Sequence, residues 1–111
     1  MPLNIVYIDD ETELGEIFQS SFEDDETKVH LFADPEKGVE YTKNYPVDFC
    51  VIDFRMQQMN GLECREKISK DIPCYLVTGE LDFSKENNFI EIISKPIDEE
   101  QIESIIKKYR K

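Results

Sequence analysis

The chain has a single histidine, His30, so a metal site built on several histidines is ruled out. Its three cysteines, Cys50, Cys64 and Cys74, are odd in number and form no C-x-x-C pair. Two of them sit inside apolar runs, and the set reads as reduced core thiols rather than disulfides. No apolar run approaches membrane-spanning length, and Met1-Pro2-Leu3-Asn4 lacks the charged start and apolar core of a secretion signal. A cytoplasmic protein without membrane contact is expected. Basic residues are scarce: 13 Lys and Arg stand against 25 Asp and Glu, a formal net charge of -12. Direct nucleic-acid binding is disfavoured, because that affinity comes mainly from cations neutralising phosphates. The basic residues near the end, Lys107, Lys108, Arg110 and Lys111, suit the dipole of a helix C-terminus. There is no internal repeat, low-complexity stretch or linker. The 111 residues make one domain, 1–111, with no output domain expected and enough chain to bury a core.

What is present is a regular alternation of strand and helix patterns. Apolar, β-branched runs at 4–8, 29–32, 49–53, 74–78 and 89–94 predict five buried strands. Between the first two, Leu14, Ile17, Phe18 and Phe22 recur at helical spacing, with Glu11 and Glu13 in the first turn. Residues 23–26 form an acidic run expected as a solvated loop. Asp34-Pro35 predicts an N-cap followed by proline at the first helical position, in a helix ending near Asn44. Residues 55–60 read as a loop, and Gly61 opens a helix to about Lys70. A stretch of about two turns fits over 81–88. Ile97-Asp98-x-x-Gln101-Ile102 has the form of a capping box with a hydrophobic staple, followed by an apolar stripe of Ile102, Ile105, Ile106 and Tyr109. Five strands alternating with five helices imply an α/β fold, a doubly wound parallel sheet covered on both faces.

Four of the strands run into residues capable of phosphoryl chemistry: Asp9-Asp10, Asp53, Thr78 and Lys95-Pro96. Each alone has a bland explanation in caps and turns. Parallel sheets, however, bind ligands beyond the carboxyl ends of their strands. There, three carboxylates, a hydroxyl and an ammonium converge. Clustered carboxylates raise one another's pKa, and a cation relieves them. Oxygen ligands of this kind suit Mg2+. A carboxylate is also a competent nucleophile toward phosphorus. In the order 2-1-3-4-5 the crevice opens between the strands that end in Asp9-Asp10 and Asp53.

With those residues in place, the whole chain resembles the receiver domains of two-component response regulators, in the single-domain, chemotaxis-regulator-like form. The resemblance rests on Asp9-Asp10, on the string from Asp53 through Met56 and Met59 to Gly61, on Thr78-Gly79 and on Lys95-Pro96. It implies a flavodoxin-like (βα)5 fold of order 2-1-3-4-5 with a short fourth helix. It also implies that Asp53 accepts a phosphoryl group from a histidine kinase or histidine phosphotransfer protein. Asp9, Asp10, Asp53 and the backbone carbonyl of Arg55 would hold Mg2+, and Thr78 and Lys95 would contact the phosphoryl oxygens. The Lys95-Pro96 bond would be cis. Such a protein is a signalling phosphoprotein acting on a downstream protein, and its only chemistry is self-phosphorylation from a phosphodonor and slow self-dephosphorylation.

The chain departs from the family pattern at three places. Gln57 replaces the usual proline, which leaves the loop after Asp53 less rigid. Ile92 replaces the usual switching aromatic. The short stretch between Thr78 and Lys95 leaves little room for the fourth helix. These departures favour an alternative, a receiver-like interaction module that works without phosphorylation. The intact acidic residues and lysine favour the phosphoacceptor. An aspartyl phosphatase would carry Asp-x-Asp, but Arg55 holds the second position. A flavodoxin-like FMN protein would need a phosphate-cradling loop where this chain has Asp9-Asp10-Glu11. Arg55 and Glu80, each two residues beyond a site residue, are expected to pair across the pocket mouth.

Overall fold

A computed structural model describes residues 2–80 and 88–110 of the chain. Five strands, β1 (Leu3–Ile8), β2 (Thr27–Phe32), β3 (Phe49–Asp53), β4 (Cys74–Thr78) and β5 (Glu91–Ser94), form one sheet. Four helices lie among the described residues: α1 (Thr12–Phe22), α2 (Pro35–Asn44), α3 (Gly61–Glu66) and α4 (Glu99–Tyr109). The strand order is β2-β1-β3-β4-β5, and every pairing is parallel. The short helix expected over 81–88 lies, apart from Asn88, outside the described residues.

The alternation of side chains along β1 divides the core in two. Ile5 and Tyr7 join Phe18 and Phe22 of α1 and Ile102, Ile105 and Ile106 of α4 on one face. Val6 and Ile8 join Val39 of α2 and Cys64 of α3 on the other, with Cys50, Ile52 and Cys74. Because both faces are covered, β3 and β4 are buried at every position, which explains their unbroken apolar runs. Each fully buried aliphatic or aromatic side chain contributes roughly 1.5–3 kcal/mol. All three cysteines are free and buried in the second face, as their apolar settings predict.

Several boundaries differ from the sequence expectation for physical reasons. α3 ends at Glu66, not near Lys70. Past Glu66 the backbone tightens into three-residue turns, the amides of Lys67, Ile68 and Ile72 donating to the carbonyls of Cys64, Arg65 and Ser69. The buried Arg65 guanidinium also donates to the carbonyls of Ile68 and Ser69 at 3.2 and 3.1 Å, and to that of Asn88 at 3.0 Å. β5 starts at Glu91 rather than Phe89; Ile90 is 55% exposed while Phe89 packs on the second core face. Asp98 caps α4 through the Glu100 amide, but Gln101 reaches outward to Glu91 instead of closing a capping box. The capping box belongs to α3, between Asn60 and Glu63. In α1, Ile17 lies outside the packed face and is 61% exposed. In the acidic run the side chains are solvated, yet Glu23 accepts the Val29 amide, and Arg110 reaches Asp24.

Candidate functional site

The strand order reverses at β1, so the connections leaving β1 and β3 part and open a crevice beyond their carboxyl ends. Asp53 is the last residue of β3, and Asp9-Asp10 follow β1 directly. One oxygen from each of Asp9, Asp10 and Asp53 lies within 4.8 Å of the others. Thr78 ends β4 and is buried, and Lys95 follows β5. The Lys95 ammonium sits 2.7 Å from Asp53 Oδ1, and the Lys95-Pro96 peptide is cis. The five residues picked from strand ends therefore stand together at the carboxyl edge of the sheet, with Asp9, Asp10, Asp53 and Lys95 in direct proximity.

Gly61 sets how close α3 comes to this pocket. A Cβ there would lie 2.9 Å from the Asp53 carbonyl oxygen and 2.7 Å from Leu76 Cδ1. The Gly61 amide donates to the Phe54 carbonyl at 2.8 Å, locking the loop after Asp53 onto the helix start.

The carboxylates are held unequally. Asp9 Oδ1 accepts the Glu11 amide at 2.9 Å, and Oδ2 accepts the Tyr7 hydroxyl at 3.1 Å. Asp10 Oδ2 accepts the Gln57 amide at 3.0 Å. That bond is open to Gln57 and closed to a proline, and it ties down the loop that sequence reasoning took as less rigid. Asp53, 2% exposed, has one partner among the described residues, the Lys95 ammonium against Oδ1, and its Oδ2 has none. Burial pushes the Asp9 carboxyl up to about 6, opposed by the Glu11 amide and reinforced by Asp53. Burial also raises Asp53, against the pull of Lys95. The Lys95 ammonium is driven upward by Asp53 despite its own partial burial.

At the mouth, Arg55 and Glu80 form an ion pair, as their positions predict, and the Arg55 guanidinium lies 5.8 Å from the Phe54 ring centroid. Thr78 Oγ1 accepts the Glu80 amide at 3.0 Å, which leaves its hydroxyl hydrogen for another acceptor. Ile92 is half-buried in β5. Sequence reasoning missed Tyr7 and the Gln57 amide. Tyr7 was within reach of it, since residues two apart on a strand share a face and Asp9 follows by two.

The donors are hard oxygens, and one of them, Asp53 Oδ2, is buried and without a partner among the described residues. The set fits a small divalent cation such as Mg2+. The nearby ammonium and hydroxyl suit an anionic group placed against Asp53.

Comparison with known proteins agrees with this geometry. The family described as the response regulator receiver domain matches residues 5–107. The heme response regulator HssR of Staphylococcus epidermidis is 24% identical over 97% of the chain, and the chain spans about half of that protein, 53%. The cyclic di-GMP phosphodiesterase response regulator RpfG of Xanthomonas campestris pv. campestris is 34% identical over 68% of the chain and 22% of its own length. Among solved structures, a CheY-like receiver domain from Methylobacillus flagellatus superposes with a TM-score of 0.87 at 19% identity, covering 99% of this chain and 100% of that one. A CheY-like receiver domain from Methanospirillum hungatei gives 0.85 at 23% identity, over 97% and 93%. At these identities the structural likeness speaks for the fold.

Proposed function

Since the chain belongs to the response regulator receiver family of two-component systems, we propose that it is a cytoplasmic phosphoacceptor switch whose phosphorylated residue is Asp53. The observation that carries this reading is the state of Asp53: buried, beside Lys95 at 2.7 Å, with an Oδ2 that has no partner among the described residues. In the reaction an Asp53 carboxylate oxygen attacks the phosphorus of a phosphohistidine on a histidine kinase or phosphotransfer protein. The phosphorus–nitrogen bond breaks, the imidazole leaves with the bonding pair, and an acyl phosphate remains on Asp53. Lys95 neutralises phosphoryl oxygens, and the Thr78 hydroxyl donates to one. Asp9, Asp10, Asp53 and the Arg55 carbonyl are the residues to hold Mg2+, which when bound offsets the negative charge gathered around the transferring group.

The phosphodonor docks along α1. An apolar groove of about 560 Å³, lined by Leu14, Ile17, Phe18, Pro96 and Ile97, runs beside the pocket. No helix among the described residues is long and apolar enough to cross a membrane. Output passes to a downstream protein through the loops after Asp53 and Thr78, because Ile92 is β-branched and makes a poor rotameric switch.

The test is direct. The protein is incubated with a small phosphodonor and Mg2+, and intact mass is measured for wild type and Asp53→Ala. Gain of one phosphoryl group by wild type alone supports the reading, and the same gain in the mutant refutes it.

A further inference from the structure

Tyr7 lies on the inner strand β1 and is 1% exposed. Its ring packs on Phe18 of α1, 4.6 Å between centroids. Phenylalanine would provide that packing equally well. The hydroxyl is the additional group, and a buried phenol needs a partner. Tyr75, the other fully buried tyrosine, pairs its hydroxyl with that of the partly buried Tyr109 at 2.8 Å, away from the acidic pocket. Tyr7 instead aims its hydroxyl at Asp9 Oδ2, 3.1 Å away, at the edge of the acidic pocket.

Asp9 is thereby held at both oxygens, by the Glu11 amide on one and by Tyr7 on the other. One of these donors comes from the turn into α1 and the other from β1 itself, so the carboxylate is anchored to two rigid elements. A carboxylate already fixed in orientation loses less freedom when it joins a cation site.

We propose that Tyr7 is a positioning residue of the acidic pocket: its hydroxyl fixes the Asp9 carboxylate toward Asp10 and Asp53 and so strengthens Mg2+ binding. The inference rests on the metal-binding part of the function proposed above. Partners that orient a metal ligand are typically worth about 10–100-fold in affinity.

Tyr7→Phe keeps the ring and removes only the hydroxyl. In calorimetric titration of the full chain with Mg2+, its affinity should fall about 10-fold, with unchanged circular dichroism in the metal-free state. Tyr75→Phe, which removes a hydrogen-bonded tyrosine hydroxyl elsewhere, should bind Mg2+ as wild type does. The chain has no tryptophan, so its near-ultraviolet absorbance reports tyrosine. Mg2+ should produce a tyrosine difference spectrum in wild type and in Tyr75→Phe that vanishes in Tyr7→Phe. In an Asp9→Asn background, Tyr7→Phe should cost no further affinity, because its effect runs through Asp9. Equal Mg2+ affinity in wild type and Tyr7→Phe overturns the inference. So does an undiminished loss in the Asp9→Asn background, or a wild-type tyrosine spectrum indifferent to Mg2+ binding. A wild type that binds no Mg2+ overturns the metal-binding reading and this inference together. A wild type whose Mg2+ binding is lost in Asp10→Asn but unaffected by Tyr7→Phe overturns the inference alone.

Discussion

Asp9 and Asp53 face each other across the β1–β3 crevice and are both almost fully buried, yet they are built into the fold in opposite ways. On the β1 side, Asp9 has a donor on each oxygen, and Asp10 has the Gln57 amide. On the β3 side, Asp53 has the Lys95 ammonium at Oδ1 and, among the described residues, no partner at Oδ2. A carboxylate held at both oxygens is fixed and its lone pairs are partly engaged, which suits a ligand. One with a free oxygen keeps electrons available, which suits a nucleophile. The cost of leaving Asp53 this way appears in its raised pKa, which burial causes and Lys95 only partly offsets.

The contrast breaks most completely at Asp53. Asp53→Asn removes the nucleophilic oxygen while keeping the shape, and acyl-phosphate formation should vanish by intact mass. Asp9→Asn should retain measurable phosphorylation at high Mg2+ concentration, because Asp9 orients and does not react.

A second way to expose the contrast is pH. The folded Asp9 carboxyl titrates near 6, against an ordinary value of 3.8, and Asp53 is raised in the same direction. Between those values the folded state holds a proton that the unfolded chain has released. Metal-free protein should therefore gain stability as pH falls from about 7 through 6 toward 4, by at most about 3 kcal/mol from Asp9. Saturating Mg2+ should abolish the gain, because protons and metal compete for the same oxygens. Urea denaturation at several pH values, with and without Mg2+, measures both curves.

The backbone behind Asp53 offers the third perturbation. Gly61→Ala places a methyl against the Asp53 carbonyl and Leu76. Overpacking of this kind costs about 1–3 kcal/mol, and it should slow phosphorylation by moving the strand end. Gly79→Ala meets nothing within 4 Å, so it is the control that should leave packing unchanged.

Charge on the β1 side gives a smaller effect. Asp10 pushes Asp53 upward, so Asp10→Asn relieves repulsion. Asparagine can still accept the Gln57 amide. The metal-free fold should become more stable, by about 1 kcal/mol or less, while the stabilisation conferred by Mg2+ falls. Equal Mg2+ stabilisation of both proteins would remove Asp10 from the ligand set.

The smallest thermodynamic effect belongs to the pocket mouth. Arg55 is 77% and Glu80 38% exposed at the side chain, and exposed pairs contribute at most about 1 kcal/mol. Single and double alanine variants should therefore unfold much like wild type. Their phosphoryl lifetimes should shorten as water gains access, and unchanged lifetimes in all three would leave the pair without a role.

The five candidate residues were legible because each ends or follows a run whose apolar character marks a buried strand. Parallel pairing then carries every strand end to the same edge, and the order β2-β1-β3-β4-β5 brings Asp9-Asp10 and Asp53 across one crevice. Element identity was legible for the same reason: a strand buried on both faces must be apolar throughout. Where the chain is half-exposed, pattern and structure part company. Ile17 fits the helical spacing of α1 yet faces outward, and β5, an edge strand, begins two residues late. The end of α3 depends on Arg65, whose carbonyl partners include one from Asn88, far along the chain.

By itself, the sequence determined the alternating fold, the two-sided core and which polar residues stand at the strand ends, because these follow from local periodicity and from where each run stops. Only the tertiary structure decided how those residues are held. The Tyr7 hydroxyl on Asp9, the Gln57 amide on Asp10 and the Lys95 ammonium on Asp53 depend on angles and on distances within about 3 Å. Periodicity specifies which face a side chain takes, but not the atom on which its polar end comes to rest.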